Sequence, residues 1–354
     1  MSFVDEFPLV KGLVTRGSVG LGSSYIAGAW TTTDLATLLE LAVRNSDARS
    51  QSTLVVRWRT RAQRWWSKRP RKGHSAVISV MGDHYDLGND FYATWLDETM
   101  TYSSALFESP TDDLADAQRR KYERLCQILE LQPGERVLEI GCGWGGFAEH
   151  AAKNHGVHVT GLTLSKEHAR YARDRLERAG LGGMTEIKIQ DFRDERAMFD
   201  KVVSIEMIES VDDALWPPLF HTIARSLPPG GKAAMQVITI DDVFHENLLR
   251  RDDFIKAYIF PGGALPSIPV LESLVSNAGL RWMDAVAHGQ DYAETLHRWA
   301  ARFETAWQDV VDGDPAFDES FRRMWRYYLE YCEAGFRTGR IDGYQILMER
   351  PRPL

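Results

Sequence analysis

Apolar positions along the chain follow two rhythms, which change over near residue 80. Before that point the spacing is helical. DLATLLELAVRN (34–45) predicts one helix. From Leu54 the apolar positions Leu54, Val55, Trp58, Ala62 and Trp65 recur at steps of three and four, with Arg57, Arg61, Arg64 and Lys68 on the opposite face. That pattern predicts an amphipathic basic helix over 54–69, stopped at Pro70, and RPRKGHSAVISVMG then reads as a linker. After residue 80, short β-rich runs are mostly separated by helical stretches: RVLEI (136–140), VHVTGL (157–162), TEIKI (185–189), DKVVSI (200–205), KAAMQVI (232–238) and a closing YQILMER (344–350). The alternation predicts an α/β fold with a doubly wound, mostly parallel sheet. A late amphipathic helix carries Phe317, Phe321, Met324, Trp325, Tyr328, Cys332 and Phe336. The expected division is a small N-terminal helical domain over 1–73 and a catalytic domain over 74–354.

Charge changes this picture at one place. The chain is acidic, at formal charge −8, yet Arg57–Lys72 holds eight Lys/Arg, no acid, and Trp58, Trp65 and Trp66. The acidic balance argues against a nucleic-acid partner. Cys126, Cys142 and Cys332 are far apart, with no CxxC pair and no His at ligand spacing, so neither a disulfide framework nor a metal site is expected. The first residues, MSFVDEFPLVKGLVTRG, lack the apolar stretch of a signal peptide, and no apolar run reaches bilayer-spanning length. The expected location is cytoplasmic, with any membrane contact peripheral.

GCGWGG (141–146) follows a strand and opens a helix, so its backbone can approach a ligand closely, with helix N–H groups aimed at it. Its spacing also satisfies the dinucleotide fingerprint. A NAD site calls for an acid about twenty residues on, whereas the next strand ends in Gly-Leu-Thr-Leu-Ser (161–165). Glu139, just before the glycines, suits the methyltransferase form of the turn, VLEIGCGWG.

The chain resembles the cyclopropane fatty acid synthases and mycolic acid methyltransferases, which use S-adenosylmethionine (SAM) to modify lipid double bonds. The resemblance rests on HYDLGNDFYATWLDETMTYSSALF, LQPGERVLEIGCGWGGFAEH, GLTLS, FDKVVSIEMIE, KAYIFPGGALPS, DYAETLHRW and FRRMWRYYLEYCEAGFR, in the family's order across 84–337. It implies a seven-stranded Rossmann-like methyltransferase sheet. By position it implies SAM contacts at Tyr102, Ser103, Glu139, Gly141, Cys142, Gly143, Gly145, Thr163, Leu164, Asp191 and Phe192. His168 stands where the family usually has Gln and can still hydrogen-bond the ribose.

An alkene is a weak nucleophile, so the donor must be a strong electrophile, and methyl transfer leaves a cation that needs a base in a dry pocket. The resemblance implies a bound bicarbonate as that base, held at the positions of Ser104, Glu209, Gln236, Ile238 and Tyr292. Here Ser104 replaces a Cys, Gln236 a His, and Ser210 the His after the family's Glu. Gln236 carries no positive charge, so bicarbonate is expected to bind weakly or not at all, leaving Glu209 as the carboxylate beside the cation. The expected product is therefore methyl- or methylene-branched, or otherwise methylated. A cyclopropane ring follows instead if Ser104 and Gln236 hold bicarbonate by neutral hydrogen bonds. Phe91, Tyr92, Trp95, Phe107 and Phe260 read equally as an acyl tunnel or as core, and Cys332 reads as core packing. The basic segment gains a purpose: each Lys/Arg near an anionic leaflet contributes about 1 kcal/mol, and Trp favours the headgroup boundary. The expected partner is an unsaturated phospholipid at such a surface. A reductase or oxidase finishing the product, and a homodimer, stay open. The rival readings are a NAD oxidoreductase, a binding protein on an inactive methyltransferase fold, and a small-molecule C-methyltransferase.

Overall fold

The computed structural model describes residues 2–3, 17–50, 87–250, 253–314 and 316–353. The basic helix expected over 54–69, its linker and the boundary at 73/74 lie outside them.

Strands β1 (Ser2–Phe3) and β2 (Trp30–Thr31) pair antiparallel around helix α1 (Ser18–Ile26), and α2 (Leu35–Ser50) follows. Helices α3 (Asn89–Trp95) and α4 (Leu114–Leu129) lead into the alternating region. That region runs β3 (Arg136–Ile140), α5 (Gly146–His155), β4 (His158–Thr163), α6 (Lys166–Arg178), β5 (Thr185–Ile189), β6 (Lys201–Ile205), α7 (Trp216–Ser226) and β7 (Lys232–Ile240). Then come α8 (Asp242–Arg250), α9 (Phe254–Tyr258), α10 (Ile268–Asn277), β8 (Arg281–Ala287), α11 (Gly289–Thr305), α12 (Trp307–Gly313), α13 (Glu319–Arg337) and β9 (Ile341–Glu349).

The sheet has seven strands in the order β5-β4-β3-β6-β7-β9-β8. The first five are parallel, and β9 runs antiparallel to both β7 and β8. The expected doubly wound sheet is therefore present. Val137, Leu138 and Ile140 are buried because helices cover both faces of the central strands. One face packs α4, α5 and α6 through Leu125, Phe147 and Leu176, and the other packs α7 and α10 through Phe220 and Leu271. Strand β8 escaped the hydrophobic pattern because it is an edge strand with most side chains exposed, Arg281 and Asp284 among them.

A third, aromatic-rich cluster joins α3, α11 and α13 and reaches Trp144 and Ile238 at the carboxyl ends of the strands. Tyr25, Trp30, Leu35 and Leu39 belong to it, so the N-terminal helices share this core. Arg323 of α13 clamps them, donating to the carbonyls of Tyr25 (2.6 Å) and Trp30 (2.7 Å). The chain order reverses between β3 and β6, which lie side by side, and in an open α/β sheet the ligand crevice opens at the carboxyl ends of such a pair.

Candidate active site

The glycine turn leaves β3 at that switch point. Gly141 sits at φ +85°, and a Cβ there would lie 2.7 Å from the Met207 side chain beyond β6. No other residue fits without displacing the neighbouring strand end. The amides of Gly141 and Cys142 both donate to the Leu162 carbonyl (3.0 and 2.9 Å), which fixes the turn against β4. A cavity opens above it. Its wall takes Glu139, Gly141, Cys142 and Gly143 from β3 and the turn, and Thr163, Leu164 and His168 from the β4–α6 connection. Tyr102 and Ser103 enter from the loop before α4, and Phe192 from beyond β5. The Ser165 hydroxyl caps α6 by accepting from the His168 amide (3.1 Å), which sets the ring against Trp144 at 4.4 Å. Burial pulls the His168 imidazole down to about 4, so it is neutral at pH 7, with one donor and one acceptor nitrogen.

Two residues expected to touch the cofactor stand beside the wall. Gly145, at φ +80°, lets α5 pack on Ala172, 3.0 Å from where a Cβ would be. The Asp191 carboxylate is engaged by Arg193, whose Nε and amide both donate to Oδ1 at 2.9 Å. Gln190, next to it, faces the cavity instead.

The residues singled out for the base are drawn together, around a residue the sequence reading did not name. Glu206 follows β6 at φ +47°, a left-handed conformation uncommon for a residue with a side chain, and it lines the cavity. The Ser104 amide (3.0 Å) and Gln236 Nε2 (2.8 Å) donate to Oε1, and the Tyr292 hydroxyl donates to Oε2 at 2.6 Å. Gln236 also donates to the Ser104 carbonyl (3.1 Å), and its own oxygen accepts from Gln345 (2.9 Å). Helix α11 holds the opposite loop as well as Tyr292. Thr295 accepts from the Ala105 amide and Asp291 from the Phe107 amide, both at 3.1 Å.

Electrostatics separates the two neighbouring glutamates. Desolvation pushes the Glu206 carboxyl up, and Lys121, Tyr292, Gln236 and the Ser104 amide pull it back. Lys121 is fully buried, donates to Ser103 Oγ (2.6 Å), and is itself pulled down to about 7 by burial, against the attraction of Glu206. The Ile238 amide donates to Glu209 Oε1 at 2.5 Å, and Oε2 has no donor among the described residues. Desolvation and the charge of Glu206 push Glu209 up to about 8. Of the pair, Glu206, with three donors, holds the negative charge more readily, and Glu209 holds the proton. Glu206 lines the cavity, and Glu209, the carboxylate expected beside the cation, is tied to the Ile238 amide. Tyr292 is held well above the usual phenol range by burial and by Glu206, so it stays a donor.

Phe91, Tyr92 and Trp95 pack as interior aromatics, with Phe91 against Trp325 at 5.0 Å and Trp95 against Trp299 at 5.9 Å. Phe107 lies under Arg298 and Phe260 against Tyr328. Cys332 packs at the edge of the aromatic cluster. Away from the cavity, α4 and α5 bring Cys126, His150 and His155 within 4.8 Å of one another, a proximity invisible in their spacing. Glu123 pairs with both rings (3.1 and 3.0 Å), and burial keeps the Cys126 thiol protonated.

Three comparisons bear on this arrangement. The mycolic acid cyclopropane synthetase family matches residues 73–346. The tuberculostearic acid methyltransferase UfaA1 of Mycobacterium tuberculosis is 40% identical over 98% of this chain and 82% of its own length. The cyclopropane-fatty-acyl-phospholipid synthase of Escherichia coli is 35% identical over 96% and 85%. Among solved structures, the mycolic acid cyclopropane synthase CmaA1 complexed with SAH and CTAB superposes at TM-score 0.72, with 30% identity over 79% of this chain and 99% of that one.

Proposed function

The chain belongs to the mycolic acid cyclopropane synthetase family and is a SAM-dependent methyltransferase, and from that premise we propose its acceptor and product. The acceptor is a double bond in an unsaturated fatty acyl chain of membrane phospholipid, and the product is a methyl- or methylene-branched chain. The observation that carries the product is the Glu206 cluster: Ser104, Gln236 and Tyr292, expected to hold a bicarbonate, spend their donors on a side chain of the protein. The names of the relatives include both a fatty acid methyl transfer and a cyclopropane synthesis, so ring formation is the competing outcome.

The cavity suits the donor. Gly141 leaves room where a Cβ would collide with Met207, and Glu139 presents a buried oxygen, Oε2, with no partner among the described residues. When bound, SAM supplies an electrophilic methyl carbon on a sulfonium. The residues of the chain do the rest. The turn and Glu139 would hold the polar end of the donor, and neutral His168 can exchange hydrogen bonds with its hydroxyls. Trp144, Ile205, Met207 and Phe192 keep the wall near the reacting carbon apolar, so water has little access to a cation there. No helix among the described residues is long and apolar enough to cross a membrane. Docking falls to the basic, Trp-rich segment Arg57–Lys72, whose composition suits an anionic surface.

Purified protein with monounsaturated phospholipid vesicles and methyl-labelled SAM tests this reading. Label in the acyl chain with methyl or methylene protons by NMR is expected. Upfield cyclopropyl protons would overturn the product, and unlabelled acyl chains the acceptor.

A further inference from the structure

We propose that Glu206 is the built-in base of the reaction, a carboxylate the protein supplies from its own side chain where a dissociable anion would otherwise sit. The inference rests on the acyl-methyl-transfer reading above and names the group that completes it.

Geometry singles Glu206 out. It lines the same cavity as the glycine turn, where the donor is read to bind. Both its oxygens are hydrogen-bonded, to Ser104 N, Gln236 Nε2 and Tyr292 OH, and an ionised carboxylate away from water needs such donors. Glu139, also in the wall, has an oxygen with no donor among the described residues, and desolvation and Glu206 suppress the charge of Glu209. The buried Lys121 lies near enough to pull the Glu206 carboxyl down. The backbone adds an independent sign. Glu206 keeps φ +47°, held by its amide donating to the Gln236 carbonyl at 2.8 Å, and a conformation disfavoured for Glu persists where the side chain is needed in one place.

The step balances. The alkene π pair forms a carbon–carbon bond to the methyl carbon as the S–CH3 bond breaks, and that pair stays on sulfur as the neutral thioether. The cation left on the acyl chain loses a proton to a Glu206 oxygen. The C–H pair becomes a new C=C bond in a branched product, or closes the ring if the proton comes from the new methyl group. The proton passes to water before the next turnover.

Two substitutions test this. Glu206→Gln keeps the shape and removes the base, and should cut methyl transfer by about 10²–10⁴-fold, the usual worth of a general base, with the fold intact by circular dichroism. Glu206→Gly suits φ +47°, so it should fold at least as well. It leaves the Ser104, Gln236 and Tyr292 donors facing an anion-sized space. Its turnover should be low in carbonate-free buffer and rise with added formate or bicarbonate, while the unsubstituted protein ignores both. Retained turnover in Glu206→Gln, or dependence of the unsubstituted protein on bicarbonate, would overturn the proposal. Failure of the acceptor reading looks different, because the unsubstituted protein then labels no acyl chain. An acceptor-independent measurement covers that case. The infrared difference between the unsubstituted protein and Glu206→Gln at pH 7 should show the loss of an ionised carboxylate band. Loss of a protonated carboxyl band instead would overturn the base.

Discussion

Removing one hydroxyl from the cluster has a consequence that can be worked in sign and size. In Tyr292→Phe the ring keeps its stack on Phe336, at 4.3 Å and 25°, so packing is conserved. The 2.6 Å hydrogen bond to Glu206 Oε2 is lost. That bond stabilises the charged carboxylate and pulls its pKa down, so its removal raises the pKa. A hydrogen bond to a charged group is worth about 1.5–3 kcal/mol, and one pKa unit corresponds to about 1.4 kcal/mol, so the rise is about 1–2 units. Because the base works ionised, activity falls below its pKa, and the acid limb of the pH–rate profile moves to higher pH by that amount. The assay is methyl transfer to vesicle lipid from labelled SAM at saturating donor, from pH 5 to 9, for both proteins. On the alkaline plateau the two should differ by less than about tenfold, since Ser104 and Gln236 still hold the carboxylate. An acid limb that stays in place, or moves to lower pH, would refute the role given to Glu206.

Other perturbations probe the remaining parts. Gly141→Ala forces a Cβ to within 2.7 Å of Met207 at φ +85°, and should cost about 1–3 kcal/mol of stability in urea and at least about tenfold in SAM affinity by calorimetry. Normal SAM affinity would remove the turn from the binding site. Glu209, pushed up to about 8 from an ordinary value near 4.5, stays protonated in the fold where the unfolded chain ionises. Its stabilising contribution is therefore complete below about pH 4.5 and is lost as pH rises through 8, so Glu209→Gln should gain up to about 5 kcal/mol relative to the unsubstituted protein between pH 4.5 and 9. Parallel urea midpoints across that range would contradict it. Arg323→Ala removes two hydrogen bonds and a cation–π contact at 4.1 Å to Tyr25, so residues 17–50 should exchange amide hydrogens and meet proteases sooner, with a loss of about 2–3 kcal/mol. Unchanged protection there would show that the shared aromatic core holds the N-terminal helices without the clamp.

Much of the scaffold was legible because its strands are buried on both faces. RVLEI matches β3 to the residue as an apolar run bounded by turns, and TEIKI matches β5 although that edge strand buries only Ile187. Strand β8 was not legible: an edge strand carrying Arg281 and Asp284 outward has no core face to advertise it. The glycine turn, Ser104, Gln236 and Tyr292 were found one by one from motif positions, but how they meet was hidden. A hydrogen bond between positions 104 and 206, or 206 and 292, is a property of the folded sheet. Glu206 did leave a trace, as a carboxylate at the end of the apolar run KVVSI in SIEMIE. The family motif points to Glu209 three residues later, and no spacing rule shows which of the two lines the cavity. Lys121 was obscured differently. On a helix rich in charge, LADAQRRKYERLCQIL, one lysine looks like the rest until the fold buries it completely.

The most direct test of a self-contained methyl-transferring site is single-turnover labelling of unsaturated phospholipid vesicles in rigorously carbonate-free buffer, followed by NMR of the released fatty acids. Label in branched acyl chains at an undiminished rate is the predicted result. Label that appears only after bicarbonate is restored, or that sits in cyclopropyl carbon, would contradict it.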